Sequence, residues 1–123
     1  MQTFNLSLEN MPHREKKLLN IAKVENMRSP RSNKEIPNQF IITLQNGITV
    51  FQSYNSIICI KADNETYLDY ERWNYSKTTS KYRNIFLNES TVDTVKKIGL
   101  GQYACVHLNK QSVYHHSIKT TDY

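Results

Sequence analysis

Glycine and proline each occur three times in 123 residues, cysteine twice and tryptophan once. Gly47, Gly99 and Gly101 are too few and too scattered for a glycine-rich phosphate loop. No apolar run approaches the roughly 18 residues that a membrane-spanning helix needs. The first residues, MQTFNLSLENMPHREKK, lack a basic start followed by an apolar stretch, so no secretory signal is expected. A reducing compartment follows, and no disulfide is expected in it. Cys59 and Cys105 sit in apolar, strand-like contexts and read as small buried hydrophobes. His13, His107, His115 and His116 show no zinc-ligand spacing, and they complete no Ser/His/Asp or Cys/His set. The expectation is a chain that is not an enzyme and takes no cofactor and no metal.

What is present is enough for one folded domain. The chain is 38% hydrophobic, 11% aromatic and 22% charged, too apolar and aromatic for disorder. Its net charge of +5 is unevenly distributed. Residues 1–36 contribute +3, residues 37–71 contribute −3 and residues 72–83 contribute +4. Asparagine is over-used, at thirteen residues, and with lysine, isoleucine and tyrosine it indicates an AT-rich coding sequence.

Pro12 suits the first turn of a short helix through Leu19, because its missing N–H is not needed there. Ile21–Glu25 alternates weakly as a first strand, and Met27–Asn33 has loop chemistry. Phe40–Leu44 and Ile48–Phe51 are β-branched and aromatic strands joined by Gln45-Asn46-Gly47. A two-residue Asn-Gly turn would pair Ile42 with Phe51 and Thr43 with Val50. Phe40, Ile42, Leu44 and Phe51 would then line the core face. Ile57–Ile60 reads as a buried strand, Asp63–Glu65 as a turn and Thr66–Tyr70 as a further strand. Residues 40–70 thus form a four-stranded meander.

Beyond Trp73 the period becomes helical, with Tyr82, Ile85 and Phe86 on one face. Ser76, Thr78 or Thr79 is suited to cap this helix, and Asn88-Glu89 closes it. Ser90 to Asp93 resembles a capping box, and Val92, Val95 and Ile98 make one apolar stripe. Lys96 and Lys97 favour the last turn, and Gly99 and Gly101 stop the helix. Tyr103–Leu108 is a final strand able to rejoin the sheet. The predicted fold is α+β, an antiparallel sheet of four to six strands with two short helices, near 79–88 and 91–98, on one face. Residues 1–19 would be an arm or short helix, 20–109 the domain and 110–123 a polar tail.

Three stretches carry a resemblance: Asn38-Gln39-Phe40-Ile41-Ile42, Phe51-Gln52-Ser53-Tyr54-Asn55-Ser56-Ile57-Ile58, and Trp73 to Leu87 (WNYSKTTSKYRNIFL). Together they resemble a family of small proteins from phages, prophages and other mobile elements of low-GC bacteria. The resemblance spans roughly residues 20–109. It implies a cytoplasmic site of action in a host cell, and it supplies no catalytic residues.

The segment from Arg72 to Arg83 is the most unusual. It holds Arg72, Lys77, Lys81 and Arg83 and no acid, with Trp73, Tyr75 and Tyr82 interleaved and hydroxyls at Ser76, Thr78, Thr79 and Ser80. Cations neutralise phosphates, hydroxyls donate to them, and rings stack on unpaired bases. The expected contacts to DNA or RNA are Arg72, Trp73, Tyr75, Lys77, Thr78, Thr79, Lys81 and Arg83. Arg28 and Arg31 would extend that surface. Tyrosine, tryptophan and arginine equally suit a protein interface, so a host protein, inhibited by binding, is the rival partner. The plainer alternative is that the hydroxyls cap, Trp73 and Tyr82 pack, and the cations form a solvated face. Asp63, Glu65, Asp69 and Glu71 read as turn and sheet-edge solubility, with pairing of Asp69 and Glu71 to the basic segment as the alternative. No membrane partner is expected, and the oligomeric state is not encoded in any motif.

Overall fold

A computed structural model describes residues 21–109. The expected arm, the Pro12-led helix and the polar tail lie outside these residues. Within them the chain runs β1 (Ile21–Arg28), β2 (Glu35–Leu44), β3 (Thr49–Ser53), β4 (Ser56–Ala62), β5 (Glu65–Asp69), α1 (Lys77–Leu87), α2 (Thr91–Gly99) and β6 (Tyr103–Val106). The strands form one six-stranded sheet in chain order. The fold is α+β, and β2 to β5 are the expected meander. The pair β5–β6 is parallel, whereas the other neighbours are antiparallel. The connection through both helices returns the chain to the end where β5 began, so β6 runs in the same direction.

The β2–β3 hairpin differs from the expected register by one residue. Ile42 pairs with Val50 and Ile41 with Phe51. The Gly47 N–H donates to the Leu44 carbonyl (2.9 Å), and the Leu44 N–H donates to that of Ile48 (2.9 Å). Gly47 has φ +92°. This is a three-residue loop, a turn followed by a left-handed glycine, rather than a two-residue one. The extra residue moves Phe51 to the face opposite Ile42 and Leu44, so the expected common core face is corrected.

Both sheet faces are consequently apolar. On the helix side, Met27, Phe51, Ile58, Cys59 and Leu68 pack against Tyr82, Phe86 and Leu87. The Phe51 and Phe86 rings stack with centroids 5.8 Å apart. On the other side, Leu44, Val50, Ile60 and Leu108 form a second cluster. Leu108 reaches it because the final strand ends at Val106, two residues before the expected boundary. The chain then crosses this face, and the Asn109 side chain exchanges two 2.9 Å hydrogen bonds with the backbone of Ile57.

The loop expected at Met27–Asn33 begins later, because Met27 and Arg28 belong to β1 and Met27 is core. Helix α1 is capped by Ser76, whose hydroxyl accepts from the Thr79 N–H (3.1 Å), and it ends on a left-handed Asn88. Helix α2 opens with a true capping box between Ser90 and Asp93. The expected apolar stripe is only partly covered. Ile98 packs inward, but Val92 and Val95 are 65% and 52% exposed, while Thr94 is fully buried.

Candidate nucleic-acid interface

The segment that joins the sheet to α1 is built on one buried carboxylate. Asp69, at the end of β5, is only 3% exposed. Its Oδ2 accepts from the N–H groups of Glu71 (3.1 Å) and Arg72 (2.9 Å), and its Oδ1 accepts from that of Leu108 (2.8 Å). Its carbonyl accepts from the Trp73 N–H (3.1 Å). Asp69 therefore folds the chain at 69–73 and ties it to the returning C-terminal strand. It is not a solubility charge at the sheet edge, as the sequence had suggested.

The second fastening is Arg83, whose side chain is fully buried. Its Nη1 donates to the Trp73 carbonyl (2.6 Å) and to Asn74 Oδ1 (3.1 Å). Its Nη2 donates to Asn84 Oδ1 (2.7 Å) and Thr91 Oγ1 (2.8 Å). The guanidinium carbon lies 4.9 Å from the centre of the Trp73 ring. Burial holds this guanidinium below its ordinary pKa. Thr79 is likewise buried, its hydroxyl 3.0 Å from that of Ser53. Arg83 and Thr79 are thus corrected from contact residues to internal ones, because neither presents a polar atom to a partner. Trp73 is half-buried and packs against the core.

What remains outside is a compact cationic and aromatic surface. Tyr75 is 47% exposed, and the Arg72 guanidinium lies 5.6 Å from its ring centre. Lys77, Thr78 and Lys81 are exposed on α1. Lys77 and Lys81 stand one turn apart on the same side of the helix. Helix α1 has no acid in its first turn. The Ser53–Thr79 contact sets the tip of the β3–β4 turn against the start of α1. That tip presents Tyr54, 52% exposed with a left-handed φ of 55°. Tyr70, at the end of β5, is a further exposed ring. The sequence contained Tyr54 in the Ser53-Tyr54-Asn55-Ser56 turn between two strands, but nothing local shows that this turn meets α1.

Arg28 and Arg31 lie at the same end of the sheet, on the β1 side, away from the strands that α1 covers. Both are exposed, and Arg28 donates to the Asn33 carbonyl (2.8 Å) and pairs with Glu35 (3.5 Å). The acids Asp63 and Glu65 occupy the β4–β5 turn at the opposite end. Among the described residues, no group of three or more His, Cys, Asp or Glu is placed to hold a metal ion. Burial pushes both thiols, Cys59 and Cys105, up from their ordinary pKa.

A family profile matches residues 22–102, most of the ordered sheet and both helices. The chain belongs to DUF8033, a family of unknown function. The match begins just inside β1 and stops just before β6, so the DUF8033 region includes Arg72, Tyr75, Lys77, Thr78 and Lys81 and the Tyr54 turn. No curated protein and no solved structure matches the chain. No helix of the described residues is long and apolar enough to cross a membrane.

Proposed function

We propose that this protein is a non-catalytic accessory protein of a phage or mobile element that binds nucleic acid in the host cytoplasm. The carrying observation is that Tyr75, Lys77, Thr78 and Lys81 are exposed and the half-buried Arg72 lies against the Tyr75 ring, with no acid interspersed from residue 72 to 83. Asp69 and Arg83 hold that surface from beneath. Its exposed cations are matched to phosphates, and its exposed rings to bases. The resemblance to phage and mobile-element proteins supports the setting.

Binding of this kind weakens with salt in proportion to the phosphates neutralised. With three cations engaged on a single strand, the slope of log K against log salt is expected near −2, from about −0.7 per contact. Reversing two charges, with Lys77→Glu and Lys81→Glu together, abolishes the mobility shift while the melting temperature is retained. A wild-type chain that shifts neither single- nor double-stranded DNA or RNA at low salt defeats this reading.

A protein partner is the second reading, and the outward face of α2 favours it. Val92, Val95 and Leu100 are exposed there at 65%, 52% and 71%. Inhibition of a host protein would use such a face, and capture of a stoichiometric partner from nuclease-treated lysate, lost with Val92→Asp, supports it over the first.

A further inference from the structure

Tyr54 occupies a position that folding alone does not explain. Turn residues with positive φ are ordinarily glycine, asparagine or aspartate, because a bulky side chain is disfavoured there. Here the backbone is held in place from two sides. The Tyr54 N–H donates to the Asn38 carbonyl (2.7 Å), and Gln52 Nε2 donates to the Tyr54 carbonyl (2.7 Å). The ring itself remains 52% exposed. Ser53, the preceding residue, meets Thr79 in the first turn of α1, the turn that carries Lys77 and Thr78. Beyond the same turn of the helix, on the N-terminal side, stands Tyr75 with Arg72 against its ring. Two half-exposed rings therefore belong to segments that adjoin the start of α1, Tyr54 next to Ser53 and Tyr75 just before the capping Ser76.

We infer that the ligand of this surface is single-stranded nucleic acid, with unpaired bases stacked on Tyr54 and Tyr75 and the intervening phosphates on Lys77 and Lys81. The inference rests on the nucleic-acid reading above and narrows it. A duplex keeps its base faces inside its own stack and offers only phosphates and groove edges, to which a tyrosine ring adds little. A single strand offers the faces, and every base has one. Deoxyribose and ribose strands share this chemistry.

The test uses the full chain and short labelled oligonucleotides without secondary structure, as DNA and as RNA, with their duplexes, at low salt. A single strand of either sugar is expected to bind at least about tenfold more tightly than its duplex. Tyr54→Asn removes the ring but tolerates the left-handed backbone, and it is expected to lower single-strand affinity on the order of tenfold, whereas Tyr54→Phe leaves it unchanged. Tyr75→Ala is a second, independent ring removal with the same expected loss. Equal affinity for duplex and single strand overturns the inference, as does unchanged affinity in both ring variants. In either case, continued loss of binding with Lys77→Glu and Lys81→Glu leaves the broader reading standing. Absence of binding to every oligonucleotide removes both.

Discussion

Arg83 carries a positive charge into the interior and, among the described residues, makes no salt bridge there. Nη1 and Nη2 of its guanidinium donate to neutral oxygens of Trp73, Asn74, Asn84 and Thr91, while the buried Nε meets no hydrogen-bond partner among the described residues. Deleting it leaves those acceptors unpaired and opens a void, so Arg83→Ala is expected to cost about 3 kcal/mol or more, read by urea denaturation. Arg83→Met keeps the volume and is expected to cost less. Glu89 makes a second residue-scale prediction. Burial alone would raise its pKa, but hydrogen bonds from Lys97 (2.7 Å), Thr94 (2.6 Å) and Tyr103 (2.9 Å) outweigh that and hold it below the ordinary carboxylate value. A carboxyl with a depressed folded pKa stabilises above its unfolded pKa, and this contribution disappears as pH falls through the folded one. Glu89→Gln is therefore expected to lower the unfolding midpoint at neutral pH, with the gap to wild type closing in acid. An equal gap at both pH values would show that the carboxylate charge is not what matters. Neither Arg83 nor Glu89 was legible as internal, because charge alone places a side chain outside and only the three-dimensional partners reverse that.

Among the elements, α2 inverts the usual amphipathic logic. Thr94 faces inward, where its hydroxyl donates to Glu89, while Val92 and Val95 face solvent. Val92→Ser and Val95→Ser are each expected to change stability by less than about 0.5 kcal/mol. Thr94→Ala is expected to cost about 1–2 kcal/mol, because a buried acceptor loses its donor. Thermal melts of the three variants check this, and the opposite ranking would place the helix the other way round. Most helix ends were readable from local chemistry, with Asn88, Ser90 and Asp93 acting within one turn of where they stand, whereas Ser76, Thr78 and Thr79 were equal candidates for the first cap and the helix starts at Lys77, two residues before the expected position. The α2 face was not readable, since periodicity finds an apolar stripe without saying whether it is covered. The β2–β3 register failed for a similar reason. Asn46-Gly47 suits more than one tight turn, and the alternatives differ by one residue, enough to exchange the partners of Phe51.

At the scale of the whole described domain, the β4–β5 turn with Asp63 and Glu65 lies at one end of the sheet, and Arg72, the start of α1 with Lys77 and the arginines of the β1–β2 hairpin lie at the other, where Glu35 pairs with Arg28. A net charge of +5 gives no hint of this arrangement, whereas the segment charges do. The basic/aromatic segment was legible in the sequence as a unit. Its division into an inner layer (Thr79, Arg83 and half of Trp73) and an outer layer (Arg72, Tyr75, Lys77, Thr78 and Lys81) required the packing of α1 on β3 and β4. The most direct measurement is chemical-shift mapping of the labelled chain titrated with a short unstructured oligonucleotide. The account predicts that perturbed amides and side chains concentrate at Tyr54, Arg72, Tyr75, Lys77, Thr78 and Lys81 and fade with added salt. Perturbations centred on Val92, Val95 and Leu100, or none at all, would contradict it.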